Sequence, residues 1–387
     1  MSRGAERHEA IVAGAGPAGL ATAALLRKRG FDVLVLERAA AVGARWRTRY
    51  EPLRLNTARV FSSLPGYRIP RSHGRYSRRE DFVEYLEAYA DHHRLQVRFD
   101  TSLERVDHGG DRAWRLETTT GPLLADYAVV ATGYDAVPTL PEVAGRDAYT
   151  GELIHAVEFR DPEPYRGRQV LIVGAGNTGV DIAGHLIAAG AQVSISMRTP
   201  PNIFPRDWLG LPLQASAIVT DRLPAKIGDV GGFLLQRRIF GDLSAYGIPR
   251  APEGFQTKFR RSLVGAAVDD GFVDALKAGR TRVVAPVERF DGSEVVLVDD
   301  TRLRPDAIIC ATGYRRGLEP IVGHLGVLRR DGIPVHYGGA PEHPAAPRLY
   351  FSGFWGSNAG QIRQMPIHAR RIARAAARDR RRSASRR

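Results

Sequence analysis

Residues Glu9 to Arg38 read EAIVAGAGPAGLATAALLRKRGFDVLVLER. A short apolar strand empties into GAGPAG, a small-residue helix follows, Gly30 stops it, and the alternating run DVLVLE makes a second strand. This is the order of a dinucleotide-binding βαβ unit, in which each glycine has its own physical task. Gly14 makes the tight turn, Gly16 lets the backbone approach a pyrophosphate, and Gly19 allows close packing of helix on strand. Pro17 and Ala18 stand at the start of the helix, whose partial positive charge faces the phosphates. Glu37 ends the second strand, where a carboxylate accepts hydrogen bonds from ribose hydroxyls, and Arg38 follows it. The apolar run from Ala10 to Leu26 mimics a signal-peptide core, but its glycines and Pro17 make it fold rather than address.

The unit recurs 160 residues later as RQVLIVGAGNTGVDIAGHLIAAGAQVSISMRTP, from Arg168 to Pro200. Gly174, Gly176 and Gly179 take the three turn positions, Asn177 and Thr178 lie between them, and Gly190 matches Gly30. The same register sets Met197 opposite Glu37 and Arg198 opposite Arg38. The second unit has lost its ribose-binding acid and kept a cation, and an unopposed guanidinium pairs with a 2′-phosphate that a carboxylate would repel. NADPH is the expected ligand. A second repeat agrees: YAVVATGY ends at Tyr134 and DAIICATGY at Tyr314. Thr132-Gly133 and Ala311-Thr312-Gly313-Tyr314 thus read as glycine-bearing exits from buried strands, where chain passes close to a bound cofactor. Two sheet strands ending in ordinary turns would give the same pattern.

Composition sets the bounds. The chain has 387 residues, 43% hydrophobic, with 41 glycines, enough to bury a large core divided between two domains. Cys310 is its one cysteine, which excludes an internal disulfide, a Cys-x-x-Cys redox pair and any cysteine-built metal site. A cytoplasmic compartment fits best, no membrane span is expected, and no metal site is read. The net charge of +14 raises the question of nucleic acid, but nine arginines against one aspartate lie between Arg370 and Arg387. Residues 377–387 are therefore expected to be a disordered, solvated basic tail, with no nucleic-acid partner.

Elsewhere the outline is readable. SRREDFVEYLEAYADHH, from Ser77 to His93, carries Ser77 and Glu80 as a capping box and sets Phe82, Tyr85, Leu86 and Tyr89 on one helical face. Gln96 to Asp107 and Trp114 to Thr118 read as strands with Gly109-Gly110 as their turn. Val283 to Val298 alternates like strand, with a turn at Asp291-Gly292. Gly360 to Ala376 makes an amphipathic helix, and Pro205 to Arg261 has no clear period.

Between the two glycine units, YTGELIHAVEF sets Gly151, His155 and Phe159 at the spacing FxGxxxHxxxF/Y, with Tyr149 for the first aromatic. With that signature the chain, from about His8 to Ala376, resembles the class B flavin-dependent monooxygenases, the group of flavin-containing monooxygenases and plant YUCCA-type enzymes. The resemblance implies an α/β fold of two Rossmann-like domains, the NADPH domain inserted into the FAD domain. FAD would take residues 1–150 and 311–376, and NADPH residues 151–310. GARW resembles the family's GGxW, so Arg45 and Trp46 join the cofactor-binding set, with Ala44 departing from the second glycine. MRTPPNIFPRD resembles an NADPH clamp that adds Thr199 and Arg206 to Arg198, while Leu103 and Gln361 are further implied cofactor contacts. Asn56, in Leu55-Asn56-Thr57, resembles the family's active-site asparagine against flavin and nicotinamide. Read alone, RLNTARV is loop-like, and Asn56 would there merely make a turn. His155 is expected to hold conformation rather than to catalyse.

The implied chemistry is reduction of FAD by NADPH, retention of NADP⁺, addition of dioxygen to the flavin, and transfer of one oxygen atom from a C4a-(hydro)peroxyflavin to a small organic substrate. Baeyer–Villiger members carry Trp where this chain has Phe159, which tilts the reading toward N- or S-oxygenation. YUCCA-like oxidative decarboxylation of a 2-oxo acid stays open, as does a homodimer. Two rivals remain: a pyridine nucleotide–disulfide or ferredoxin-type reductase, the former lacking its cysteine pair here, and a nucleotide-sensing binding protein that uses the basic tail.

Overall fold

The computed structural model describes residues 5–110, 113–339 and 343–385. Two sheets organise it. The first holds β1 (Glu6–Ala13), β2 (Val33–Leu36), β3 (Gln96–Arg98), β4 (Leu103–His108), β5 (Trp114–Thr118) and β6 (Leu123–Val130), in the order β3-β2-β1-β6-β5-β4. Strands β3, β2, β1 and β6 are parallel, and β5 and β4 continue antiparallel along the first half of β6. The second sheet is parallel throughout. It comprises β7 (Glu152–His155), β8 (Gln169–Val173), β9 (Gln192–Ser196), β10 (Thr281–Val284) and β11 (Ala307–Cys310), ordered β10-β9-β8-β11-β7. Finally β12 (Leu349–Phe351) returns to the first sheet and pairs parallel with the second half of β6. The series β3-β2-β1-β6-β12 and β10-β9-β8-β11-β7 are the same doubly wound arrangement built twice, each parallel sheet covered on both faces.

Alternation along the strands sorts the core. Ala10, Val12, Val33 and Val35 face helices α1 (Pro17–Arg27) and α2 (Arg79–His92), while Ile11, Ala13, Leu34 and Leu36 face Trp114, Leu318 and Phe354. In the second unit Val170 and Ile172 pack toward α3 (Asn177–Ala188), and Leu171 and Ile308 toward the hairpin at 287–297.

Three expectations change. Helix α2 starts one residue later than its apparent capping box: Ser77 is buried, its carbonyl accepts the Leu55 N–H at 2.9 Å, and Asp81 rather than Glu80 accepts from the Arg78 N–H at 3.2 Å. The strand read from Gln96 to Asp107 is broken at Asp100, whose φ of 51° is left-handed, and so becomes β3 and β4. The unassigned stretch is largely helical, with α4 (Leu213–Thr220), α5 (Ala225–Phe240) and α6 (Phe255–Ser262).

The tail is the largest correction. Instead of ending near Ala376, α7 (Gln361–Ala384) runs through the arginine-rich segment, so the disorder expected from Ala377 is not found up to Ser385; residues 386–387 lie outside the described residues. Composition misled because the charges are used. The Arg380 guanidinium lies 3.9 Å from the Phe31 ring centre, pairs with Glu9 at 3.1 Å and donates to the carbonyls of Arg29 and Gly30, in the turn that follows α1. Asp379 accepts from the Tyr127 hydroxyl at 2.8 Å and pairs with Arg348.

Candidate functional site: two cradles and the seam between them

The glycine turns separate what the fold needs from what a ligand needs. A Cβ on Gly14 would stand 2.4 Å from the Ala131 carbonyl oxygen, and one on Gly19 only 1.8 Å from the Gly14 oxygen. Gly174 and Gly179 repeat this against Ala311 and Gly174, at 2.6 and 1.9 Å. These four are glycine because protein packs on them. Gly16 and Gly176 differ, with φ of −83° and −73° and no protein atom within 4 Å of where a Cβ would be. Nothing in the chain asks for glycine there, and the open face of each turn leaves room for a bound group to come close.

The first turn is edged by the Glu37 carboxylate, which accepts from the Ala15 N–H at 2.8 Å and the Ala39 N–H at 3.1 Å. Beside Gly14 the Thr132 hydroxyl is buried with no partner among the described residues, and Gly133 leaves the strand at a φ of 91°. A carboxylate for ribose, an open amide-lined turn and an unspent hydroxyl suit FAD. The second cradle keeps register: Gly14 N–H donates to Leu36 O at 2.7 Å and Gly174 N–H to Ser196 O at 2.8 Å, so Met197 stands where Glu37 does and Arg198 where Arg38 does. Met197 is buried, Arg198 and Thr199 are exposed, and Asn177 is held by the Val268 N–H at 2.9 Å. This suits NADPH. Leu103 puts its side chain in the apolar core with Ile11 and Leu34, and its strand pairs it with Thr118.

Where the two units meet, the second exit is clamped. Arg49 pairs with Asp135 and donates to the Tyr314 hydroxyl at 3.1 Å, while Arg45 donates to the Asp135 carbonyl at 2.7 Å and lies 5.3 Å from the Tyr314 ring centre. Burial, and then the charge of Arg49, draw the Arg45 pKa below its usual value. His155 closes the group. Its Nδ1 accepts the Val157 N–H at 3.0 Å, so its proton is on Nε2, which donates to the Gly313 carbonyl at 3.1 Å. Burial lowers its pKa and keeps it neutral, so the fingerprint histidine ties β7 to the exit after β11. Thr312 donates to the Thr139 carbonyl, Trp46 packs edge-on against Phe82, and Gln361 donates to the Gly353 carbonyl at 2.6 Å. Phe159 is 1% exposed, in the core with Tyr50 and Tyr165.

On the other side of the seam Asn56 Oδ1 accepts from Arg206 Nη2 at 3.2 Å, joining two residues 150 positions apart. Arg206 also pairs with Asp270 at 2.6 Å and lies 3.8 Å from Asp181, whose carboxylate accepts from the buried Tyr50 hydroxyl. Burial first, then Asp181, push the Tyr50 pKa up and keep it a donor. Gln214 of α4 accepts the Ala58 N–H at 2.8 Å and donates to the Ala359 carbonyl, stitching the loop after Asn56 to the start of α7. Sequence reading missed Arg49, Tyr50, Asp135, Asp181, Gln214 and Asp270. Arg49 and Tyr50 lie just beyond GARW, Asp135 follows the first ATGY and Asp181 lies in the second glycine unit, while Gln214 and Asp270 stand beside no such motif. Among the described residues no group of His, Cys, Asp and Glu could hold a metal, and no helix is long and apolar enough to cross a membrane.

A family model described as pyridine nucleotide-disulphide oxidoreductase matches residues 11–207. Indole-3-pyruvate monooxygenase YUCCA8 of Oryza sativa subsp. indica is 35% identical over 318 residues, covering 79% of this chain and 75% of that protein. Probable indole-3-pyruvate monooxygenase YUCCA7 of Arabidopsis thaliana is 30% identical over 363 residues, 89% of this chain and 83% of its own. A solved mutant of the flavin monooxygenase from Stenotrophomonas maltophilia superposes with a TM-score of 0.73 at 25% identity, covering 98% and 99% of the two chains. Steroid monooxygenase bound to NADP shares the fold, at TM-score 0.75 and 16% identity, covering 98% and 86%. The disulphide in the family description has no counterpart in this chain: Cys310 is its one cysteine, and burial pushes that thiol up to about 12.

Proposed function

This chain belongs to the class B flavin-dependent monooxygenases, an FAD- and NADPH-dependent oxidoreductase, and from that premise we propose that it oxygenates a small 2-oxo acid with loss of carbon dioxide. The observation that carries the reading is the 35% identity over 79% of the chain to a relative named for indole-3-pyruvate. Heteroatom oxygenation rested on Phe159 in place of Trp, and a ring buried between Tyr50 and Tyr165 has no face to offer a substrate. The relatives named for indole-3-pyruvate favour the 2-oxo acid instead.

In this reading the first cradle holds FAD and the second NADPH. Bound flavin, reduced by the nicotinamide, supplies the oxygen chemistry. The chain's residues bind, align and shield. The Gly16 and Gly176 turns present backbone amides to pyrophosphates, Glu37 takes a ribose, and Arg198 with Thr199 takes the 2′-phosphate. His155, Arg49 and Asp135 fix the exit at Gly313–Tyr314, so that the two nucleotides meet in one orientation. Asn56 offers an uncharged amide at the seam, able to donate at any working pH. Gln214 closes the loop beside it against water.

The test is a product balance with indole-3-pyruvate, phenylpyruvate, a thioether and a tertiary amine. A 2-oxo acid should consume one NADPH and one O₂ and yield one CO₂ and the acid one carbon shorter. An oxygenated thioether or amine, with no CO₂ from either oxo acid, would overturn the assignment.

A further inference from the structure

We propose that Arg206 is a positioning residue that fixes the side-chain amide of Asn56 in one orientation, and that it is not a ligand of the nucleotide 2′-phosphate. The proposal rests on the reading of Asn56 given above.

A guanidinium has only donors, so the Asn56 atom it meets at 3.2 Å must be the oxygen. The two amide hydrogens of Asn56 are thereby turned away from Arg206. Rotating the amide by half a turn would set donor against donor. Without the arginine the two orientations have nearly the same shape and little to separate them.

Arg206 is itself held from several sides. Asp270 takes Nη1 at 2.6 Å, Asp181 lies 3.8 Å from Nη2, and the guanidinium sits 5.4 Å from the Tyr76 ring centre. Tyr76 donates to the Arg206 carbonyl at 3.2 Å and to Asp207 at 2.8 Å, which anchors the backbone. Its side chain is 8% exposed, whereas Arg198 stands exposed after β9. A side chain so enclosed and already paired with carboxylate is poorly placed to take a phosphate. It is well placed to hold a neutral amide. Because Asn56 follows the first unit's opening and Arg206 belongs to the second, the contact exists only when the seam is assembled.

The experiment compares Arg206→Met and Arg206→Lys with wild type by three measurements. The first is the ratio of kcat/KM for NADPH to that for NADH. The second is hydrogen peroxide released per NADPH oxidised in the presence of substrate. The third is thermal unfolding of cofactor-free protein in a double-mutant cycle with Asn56→Ala. Expected are an unchanged NADPH/NADH ratio in both variants and a peroxide fraction raised about tenfold in Arg206→Met, as for loss of one charge-assisted hydrogen bond. Arg206→Lys, which keeps a donor, should recover much of the coupling. The melting-temperature losses of Arg206→Met and Asn56→Ala should be non-additive. A collapse of the NADPH/NADH ratio with an unchanged peroxide fraction would overturn the proposal in favour of a phosphate ligand, and strictly additive unfolding would overturn it by removing the contact. Wild-type protein that oxidises NADPH but never oxygenates any substrate would instead count against the monooxygenase chemistry, while the apo-protein cycle would still judge Arg206.

Discussion

Glu37 directly follows β2 and Arg198 lies one place further after the equivalent β9, with opposite charge, one bonded to the turn beside it and one exposed. If Arg198 takes the 2′-phosphate, Arg198→Ala loses a hydrogen bond to a charged group, worth about 1.5–3 kcal/mol. The NADPH/NADH preference in kcat/KM should then fall roughly tenfold to a hundredfold. A preference that survives the substitution would move the phosphate to another group. The position of Arg198 was legible because a repeat supplies its own register. The pair Asn56–Arg206 was not, since 150 residues separate its members and no spacing rule links them. The fingerprint likewise fixes a residue type at Phe159, but its burial beside Tyr50 and Tyr165 could not be read from the spacing.

At the scale of elements, the glycine turns make a sharper forecast than any side chain. Gly16→Ala should fold normally, because its Cβ meets nothing, yet should lose FAD; Gly176→Ala should keep FAD and raise the KM for NADPH. Gly19→Ala sets a methyl 1.8 Å from the Gly14 oxygen and should fail to give soluble, folded protein. Absorbance of bound flavin and the melting temperature of apo-protein separate these outcomes. Equal FAD loading of Gly16→Ala and wild type would show that no pyrophosphate approaches that turn. These βαβ elements could be read from sequence because steric demand dictates their composition. Helices α4 to α6 could not. Helix α5 leaves Ile227, Val230 and Leu234 exposed and buries Gly228, where a Cβ would meet Gln256, and Gly232, where one would meet Phe255. With apolar residues outside and glycines inside, hydrophobic periodicity gives no guide.

For the molecule as a whole, two measurements probe what holds the first unit closed. Burial holds His368 down at about 4 from its usual 6.5, and His155 and His93 are drawn down by burial too. Such groups bind more protons when unfolded, so stability is full above about pH 6.5 and falls as pH drops toward 4. His368 alone should cost roughly 2 kcal/mol by pH 5. The melting temperature of His368→Leu should thus fall less between pH 7.5 and pH 5 than that of wild type; parallel falls would place the acid sensitivity elsewhere. Helix α7 gives the second measurement. Arg380→Ala removes the bonds to the turn after α1 and the contact with Phe31, a loss on the order of 1–2 kcal/mol. Deletion after Ala377, which also removes Asp379 from Tyr127 and Arg348, should lower the melting temperature further. If the deletion melts with wild type, the segment is the dispensable tail that its composition implied. The return of β12 and α7 to the first sheet also sets a schedule for the ribosome. All strands of the second unit have been made by Cys310, before Leu349–Phe351 emerges to pair with β6. The unit begun first is finished last, so during synthesis its nascent strands must wait, unsealed, while the inserted unit completes its sheet.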